Sequence, residues 1–113
     1  MPQAVRINAT GQVVAADRQI AVRKSGNEDV LWIATQNGGP WTITFDKGPG
    51  GGQSNYPVEA GSPFSENSYT IERGGSGGSA KGPVRGTERR TYRYNVKDAT
   101  GRITDDPDID VDP

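Results

Sequence analysis

The chain of 113 residues contains no cysteine and no histidine. With them go disulfides, thiolate nucleophiles, imidazole bases and every zinc or copper site built from sulfur and nitrogen ligands. Leucine is nearly missing as well: Leu31 stands alone, and Leu, Ile, Val and Phe together make 19 of the 113 residues. So small an apolar share borders on the composition of disordered chains, but that class also carries a large net charge. Here 13 basic residues face 14 acidic ones, for a net charge of −1. No apolar run is long enough to span a membrane, and the opening MPQAVRINAT lacks the basic start and apolar stretch of a secretory signal. A soluble chain without membrane insertion is expected, with the cytoplasm and the cell exterior both open as locations.

What apolar residues there are alternate with polar ones and are mostly β-branched or aromatic, the pattern of short strands with one buried face. Val5 and Ile7 precede a turn at Gly11; Val13 and Val14 follow, then Ile20 and Val22. After the turn at 24–29, the stretch VLWIA is apolar on both faces, which predicts a central strand. Asn37 to Pro40 make the next turn, and from it Trp41, Ile43 and Phe45 point one way while Thr42 and Thr44 point the other. Residues 46–67 read as a loop anchored by Phe64, and SYTIE as a strand with Tyr69 and Ile71 inward. The run GGSGGSAKGPVRG, within a second Gly-rich loop at 73–88, resembles a flexible linker, but strand patterning resumes after it, so a long mobile loop inside one domain is expected. TYRYNV sets Tyr92, Tyr94 and Val96 inward, and after the turn at Gly101 the chain closes on DPDIDVDP with Ile109 and Val111 inward. No segment has sustained helical periodicity and no repeat stands out. The expectation is an all-β sandwich of about seven or eight short strands, one domain over residues 1–113.

Taken in order, these pieces resemble a cupredoxin, the plastocyanin-like Greek-key β-sandwich, across almost the whole chain. NGGPWTITFD is similar to the segment in which that family carries an Asn, a Pro followed by the first copper-ligand His, and an apolar strand ending in Phe-Asp; Trp41 falls where that His would be. TYRYNV resembles the aromatic strand leading to the ligand Cys, with Val96 near the Cys position, and DPDIDV resembles the closing strand. A blue-copper site needs two His and one Cys, usually with an axial Met. This chain has neither of the first two, and its single methionine is Met1. The resemblance therefore implies a fold without its metal: no cofactor is expected, Trp41 and Val96 stand as vestigial ligand positions, and the indole of Trp41 reads as a plug in the vacated volume. An immunoglobulin-like sandwich is the alternative fold.

Three further features bear on function. Lys81, Arg85, Arg89, Arg90 and Arg93 concentrate positive charge beside the glycine-rich loop, as a contact for a partner or as a match for the chain's own acidic tail; the acidic balance of the whole protein and the lack of a named motif argue against nucleic acid. Asp106, Asp108, Asp110 and Asp112 recur at strand spacing, which reads as a charged, solvated strand edge rather than a calcium loop. GGSGGSAKG lacks the Gly-Lys-Ser/Thr ending of a phosphate loop, and Glu59, Glu66 and Glu72 show no spacing that assigns acid and base roles. No catalytic residue is named, and a non-enzymatic module that presents loops to a protein partner is expected. A self-assembling coat, appendage or virion subunit of a bacterium or phage is the alternative, and a calcium- or carbohydrate-binding accessory domain the third.

Overall fold

The computed structural model describes residues 3–46, 56–80, 82–85 and 87–113. Its strands are β1 (Gln3–Ile7), β2 (Gln19–Arg23), β3 (Val30–Ala34), β4 (Trp41–Thr44), β5 (Val58–Glu59), β6 (Ser68–Ile71), β7 (Ser76–Ala80), β8 (Arg90–Arg93), β9 (Asn95–Lys97), β10 (Ile103–Asp105) and β11 (Asp108–Asp112). One turn of 3-10 helix, Ala15–Asp17, precedes β2. Three sheets form, in the orders β1-β3-β7, β10-β9-β4-β6 and β2-β11-β8-β5. β6 and β7 run side by side, and residues of all three sheets share one core. This is the expected all-β sandwich. Among the described residues no helix is long and apolar enough to cross a membrane.

The core gathers the residues that alternation had turned inward: Val5, Ile7, Val22, Val30, Trp32, Ile43, Phe45, Ile71, Tyr92, Val96, Ile109 and Val111 are buried in a single cluster. Trp32 is its hub, stacked on Tyr69 at 5.5 Å and meeting Phe45, Phe64 and Tyr94 edge-on. Its indole N–H donates to the Tyr94 hydroxyl at 3.3 Å, which satisfies the buried donor. Phe64 anchors its loop in this cluster as expected, and β3 lies between β1 and β7 with Leu31 and Ile33 half-buried.

Four expectations need correction. The described strands number eleven rather than seven or eight, in part because two long strands break where the chain passes from one sheet to another and in part because two strands lie in the expected loops. β8 pairs with β11 and β9 with β4, the change falling at Tyr94; β10 and β11 divide in the same way around Asp106 and Pro107. The expected loop at 73–88 contains β7, antiparallel to β3, and the expected loop at 46–67 contains β5. A run of glycine and serine has no side-chain alternation to betray a strand, yet its backbone can complete a ladder. Finally, β11 is not an edge: it lies between β2 and β8, parallel to the first and antiparallel to the second. Asp110 is accordingly buried at 4% exposure and accepts a hydrogen bond from the Thr91 hydroxyl at 2.6 Å.

Candidate functional site

Strand direction sorts the connections into two poles. β4 is antiparallel to both β6 and β9, so Trp41 at its start lies with the turn after β6 and the turn after β9. β1 is parallel to β3, which adds the turns after those two strands to the same end, tied by the Thr35 N–H to the Ile7 carbonyl. Residues 56–67 and 82–89 occupy the opposite, loop pole.

Of the five cations singled out in the sequence, Arg85, Arg89 and Arg90 lie at the loop pole and Arg93 at the far end of β8, while Lys81 lies outside the described residues. Each of the four meets a carboxylate within the chain. Arg85 is 3.7 Å from Glu59, Arg89 is 3.3 Å from Asp112, Arg93 is 3.6 Å from Asp108, and Arg90 is bound to Glu88. The match between the basic run and the acidic tail follows from the pairing of β8 with β11. Arg93 is only 5% exposed and is withdrawn from any partner, since residues 91–96 cross the core from one sheet to the other. Arg85 also donates to the Ala60 carbonyl at 3.0 Å, and Arg89 lies over the Tyr56 ring at 5.9 Å. The Tyr92 hydroxyl donates to Glu59, and burial together with that carboxylate pushes the phenol up to about 12.

The loop itself is pinned. The N–H groups of Val84 and Arg85 donate to the Pro63 carbonyl at 2.7 and 3.3 Å, and the Gly82 N–H donates to Asp29 at 2.9 Å. Val84, 54% exposed, is thereby held open to solvent. It shares a depression of about 270 Å³ with Glu59, Arg85, Glu88, Arg90 and Tyr92. Among the described residues no group of three or more acidic side chains is placed to hold a metal ion.

At the other pole, Trp41 is 6% exposed, and its ring enters the core beside the cis Gly39–Pro40 peptide. Ile43, two residues on, is paired with Val96, so Trp41 and Val96 face the same core from adjacent strands. Against the expectation of no repeat, two turns of one design stand around Trp41: Asn8-Ala9-Thr10-Gly11-Gln12 and Asp98-Ala99-Thr100-Gly101-Arg102. In the first, Asn8 Oδ1 accepts from the Thr10 N–H (3.1 Å), the Thr10 hydroxyl (2.8 Å) and the Gln12 N–H (2.9 Å). In the second, Asp98 Oδ1 accepts from the Thr100 N–H (2.9 Å), the Thr100 hydroxyl (2.6 Å) and the Arg102 N–H (3.0 Å). Led by the Thr100 hydroxyl, these donors hold the Asp98 carboxyl below its ordinary range. Both turns close with the same backbone bonds and carry glycine at φ +85° and +86°. Between them lies a depression of about 330 Å³ lined by Thr10, Gln12, Trp41, Asp98, Arg102 and Ile103. The signal was present in the sequence as a short unspaced similarity, which a search for periodic repeats passes over.

No known protein-family model, curated protein or solved structure matches the chain.

Proposed function

We propose that the chain is a non-catalytic binding module on a copper-free, cupredoxin-like Greek-key scaffold, and that its loop pole is the contact surface for a protein partner. The observation that carries this reading is Val84, an exposed apolar side chain held in a pinned loop and ringed by ion-paired charges. An apolar centre inside a polar rim is how protein interfaces are built, and a backbone already fixed has little order left to lose on binding. The cupredoxin-like part of the proposal draws support from the convergence of Trp41 and Val96, the two positions at which the resemblance sets metal ligands, on one face of adjacent strands. Self-assembly through the acidic tail and basic run of neighbouring copies is disfavoured, because those charges are already matched within one chain. Calcium binding by the tail is disfavoured by the burial of Asp110.

The test is a photo-crosslinking amino acid at position 84, introduced in the cells the protein comes from. A covalent adduct with another protein at position 84, and none at the exposed Thr70 on β6, is the expected outcome. An adduct only with a second copy of the chain would favour the assembly reading, and adducts at Thr70 but not at 84 would reject the loop pole.

A further inference from the structure

We propose that the depression between the twin turns, at the Trp41 pole, binds a neutral oligosaccharide through one gluco-configured pyranose ring. This inference stands apart from the loop-pole reading, from which it differs in residues, in location and in ligand.

The first ground is shape and lining. A volume of about 330 Å³ lies at the small end of the roughly 300–1,000 Å³ typical of small-molecule sites. The Trp41 indole is 6% exposed and reaches the depression only with an edge, its Cζ3 lying beneath Gly11. One wall is Ile103, 53% exposed, which with Val84 makes up the large apolar side chains left open among the described residues. The open Ile103 side chain, with the Trp41 edge beside it, suits the C–H face of a sugar. In a pyranose whose hydroxyls are all equatorial both ring faces are bare C–H, whereas an axial hydroxyl interrupts one of them.

The second ground is the state of the rim. Gln12 and Arg102 hold the same place in the two turns, directly after the glycine, and among the described residues neither side chain has a hydrogen bond or ion pair. Arg102 shares this state with Arg23, whereas Arg6, Arg18, Arg85, Arg89, Arg90 and Arg93 each have a carboxylate partner and Arg73 donates to the Gly39 carbonyl. Asp98 uses Oδ1 for its three hydrogen bonds, and no described residue donates to Oδ2. The rim thus offers donors in Arg102 and the Gln12 amide, and acceptors in Asp98 Oδ2 and the Gln12 carbonyl. A sugar hydroxyl donates and accepts at once and so can use both kinds. A wholly apolar ligand would strand these groups without water, which is costly, and an anion would meet Asp98. The turns that carry the rim are each closed by three bonds to one side-chain oxygen, so the groups are held in place before a ligand arrives.

The test is titration of nitrogen-labelled protein with cellotetraose, laminaritetraose, and β-1,4-galactotetraose as the epimer whose C4 oxygen, free at the terminal ring and linking elsewhere, is axial, followed by NMR. The chain has two tryptophans, Trp32 and Trp41, so one indole N–H reports on the site and the other on the core. The expected result is a saturable millimolar shift of the Trp41 indole and of the Gly11 and Gly101 amides with at least one glucan. The Trp32 indole stays in place, and the galactan binds more weakly. Gln12→Ala and Arg102→Ala, both at exposed positions, each weaken binding by about fivefold or more, as loss of a hydrogen-bonding side chain should, with an unchanged melting temperature. The proposal is overturned if neither glucan moves these resonances, if the galactan binds equally well, or if the double variant binds like the parent.

Discussion

Gly11 and Gly101 share a turn and a backbone conformation but not their surroundings. A Cβ on Gly11 would lie 2.5 Å from Thr104 Oγ1 and 2.8 Å from Trp41 Cζ3, whereas one on Gly101 meets nothing within 4 Å. Alanine at 101 bears only the left-handed backbone cost of ~1–2 kcal/mol; at 11 it adds overpacking of ~1–3 kcal/mol. Urea unfolding should therefore find Gly11→Ala the less stable by that second amount, and equal midpoints would contradict the packing. Trp41 supplies a second comparison. Its N–H is buried without an acceptor among the described residues, a liability of ~1–3 kcal/mol that a phenyl ring does not have. Trp41→Phe should consequently stay within about 1 kcal/mol of the parent, its lost area offset by the removed donor, while Trp41→Ala should cost ~3–5 kcal/mol. Denaturation midpoints of the two variants check this. The inward direction of Trp41 was legible from alternation with Thr42 and Thr44, but the crowding at Gly11 was not, since Thr104 is far away in the chain and reaches it only through folding.

At the scale of elements, β7 decides more than its composition suggests. It covers β3 on the side opposite β1, and the carbonyl of Gly75 just before it accepts from the Ala34 N–H at 2.8 Å. Deletion of residues 74–86, harmless for a mobile loop, should here open the central strand of its sheet, with Leu31 and Ile33 beside a bare edge. The expected outcome is loss of cooperative unfolding or aggregation on size exclusion; a well-folded monomer would show that β7 is dispensable. The acidic strand β11 teaches the reverse lesson. Alternation placed Ile109 and Val111 correctly, yet the same pattern fits an edge strand and a central one. Only the neighbours β2 and β8 make β11 central and bury Asp110 among hydrogen-bonding groups.

For the molecule as a whole, the lack of histidine shapes the pH dependence. The carboxyl of Asp17 is pulled upward by burial but more than compensated by the Arg6 side chain and N–H, and Asp46 is held down chiefly by Lys97; both lie below the ordinary 3.8. Groups lowered on folding stabilise above their unfolded pKa, and that stability goes as pH falls through the folded value. Tyr92, raised by burial and Glu59 from 10.0 to about 12, behaves oppositely: the folded chain keeps the phenol neutral, so stability falls as pH rises beyond 10. A plateau between roughly pH 5 and 9, falling on both sides, is therefore expected from denaturation midpoints measured against pH. Asp17→Asn should make the acid side shallower and Tyr92→Phe the alkaline side. A midpoint step between about pH 6 and 7, where histidine would titrate, would contradict this account.

The residue inventory alone removed thiolate and imidazole chemistry, because no fold can supply a side chain that is missing. Period-two alternation likewise determined which residues face inward, since the direction of a side chain along a strand is a local property of the pleat. Tertiary structure alone decided which strands are neighbours, because pairing joins segments far apart in sequence whose own patterns are satisfied by several partners. The burial of Arg93 and Asp110, and the meeting of two like turns around Trp41, belong to that second class.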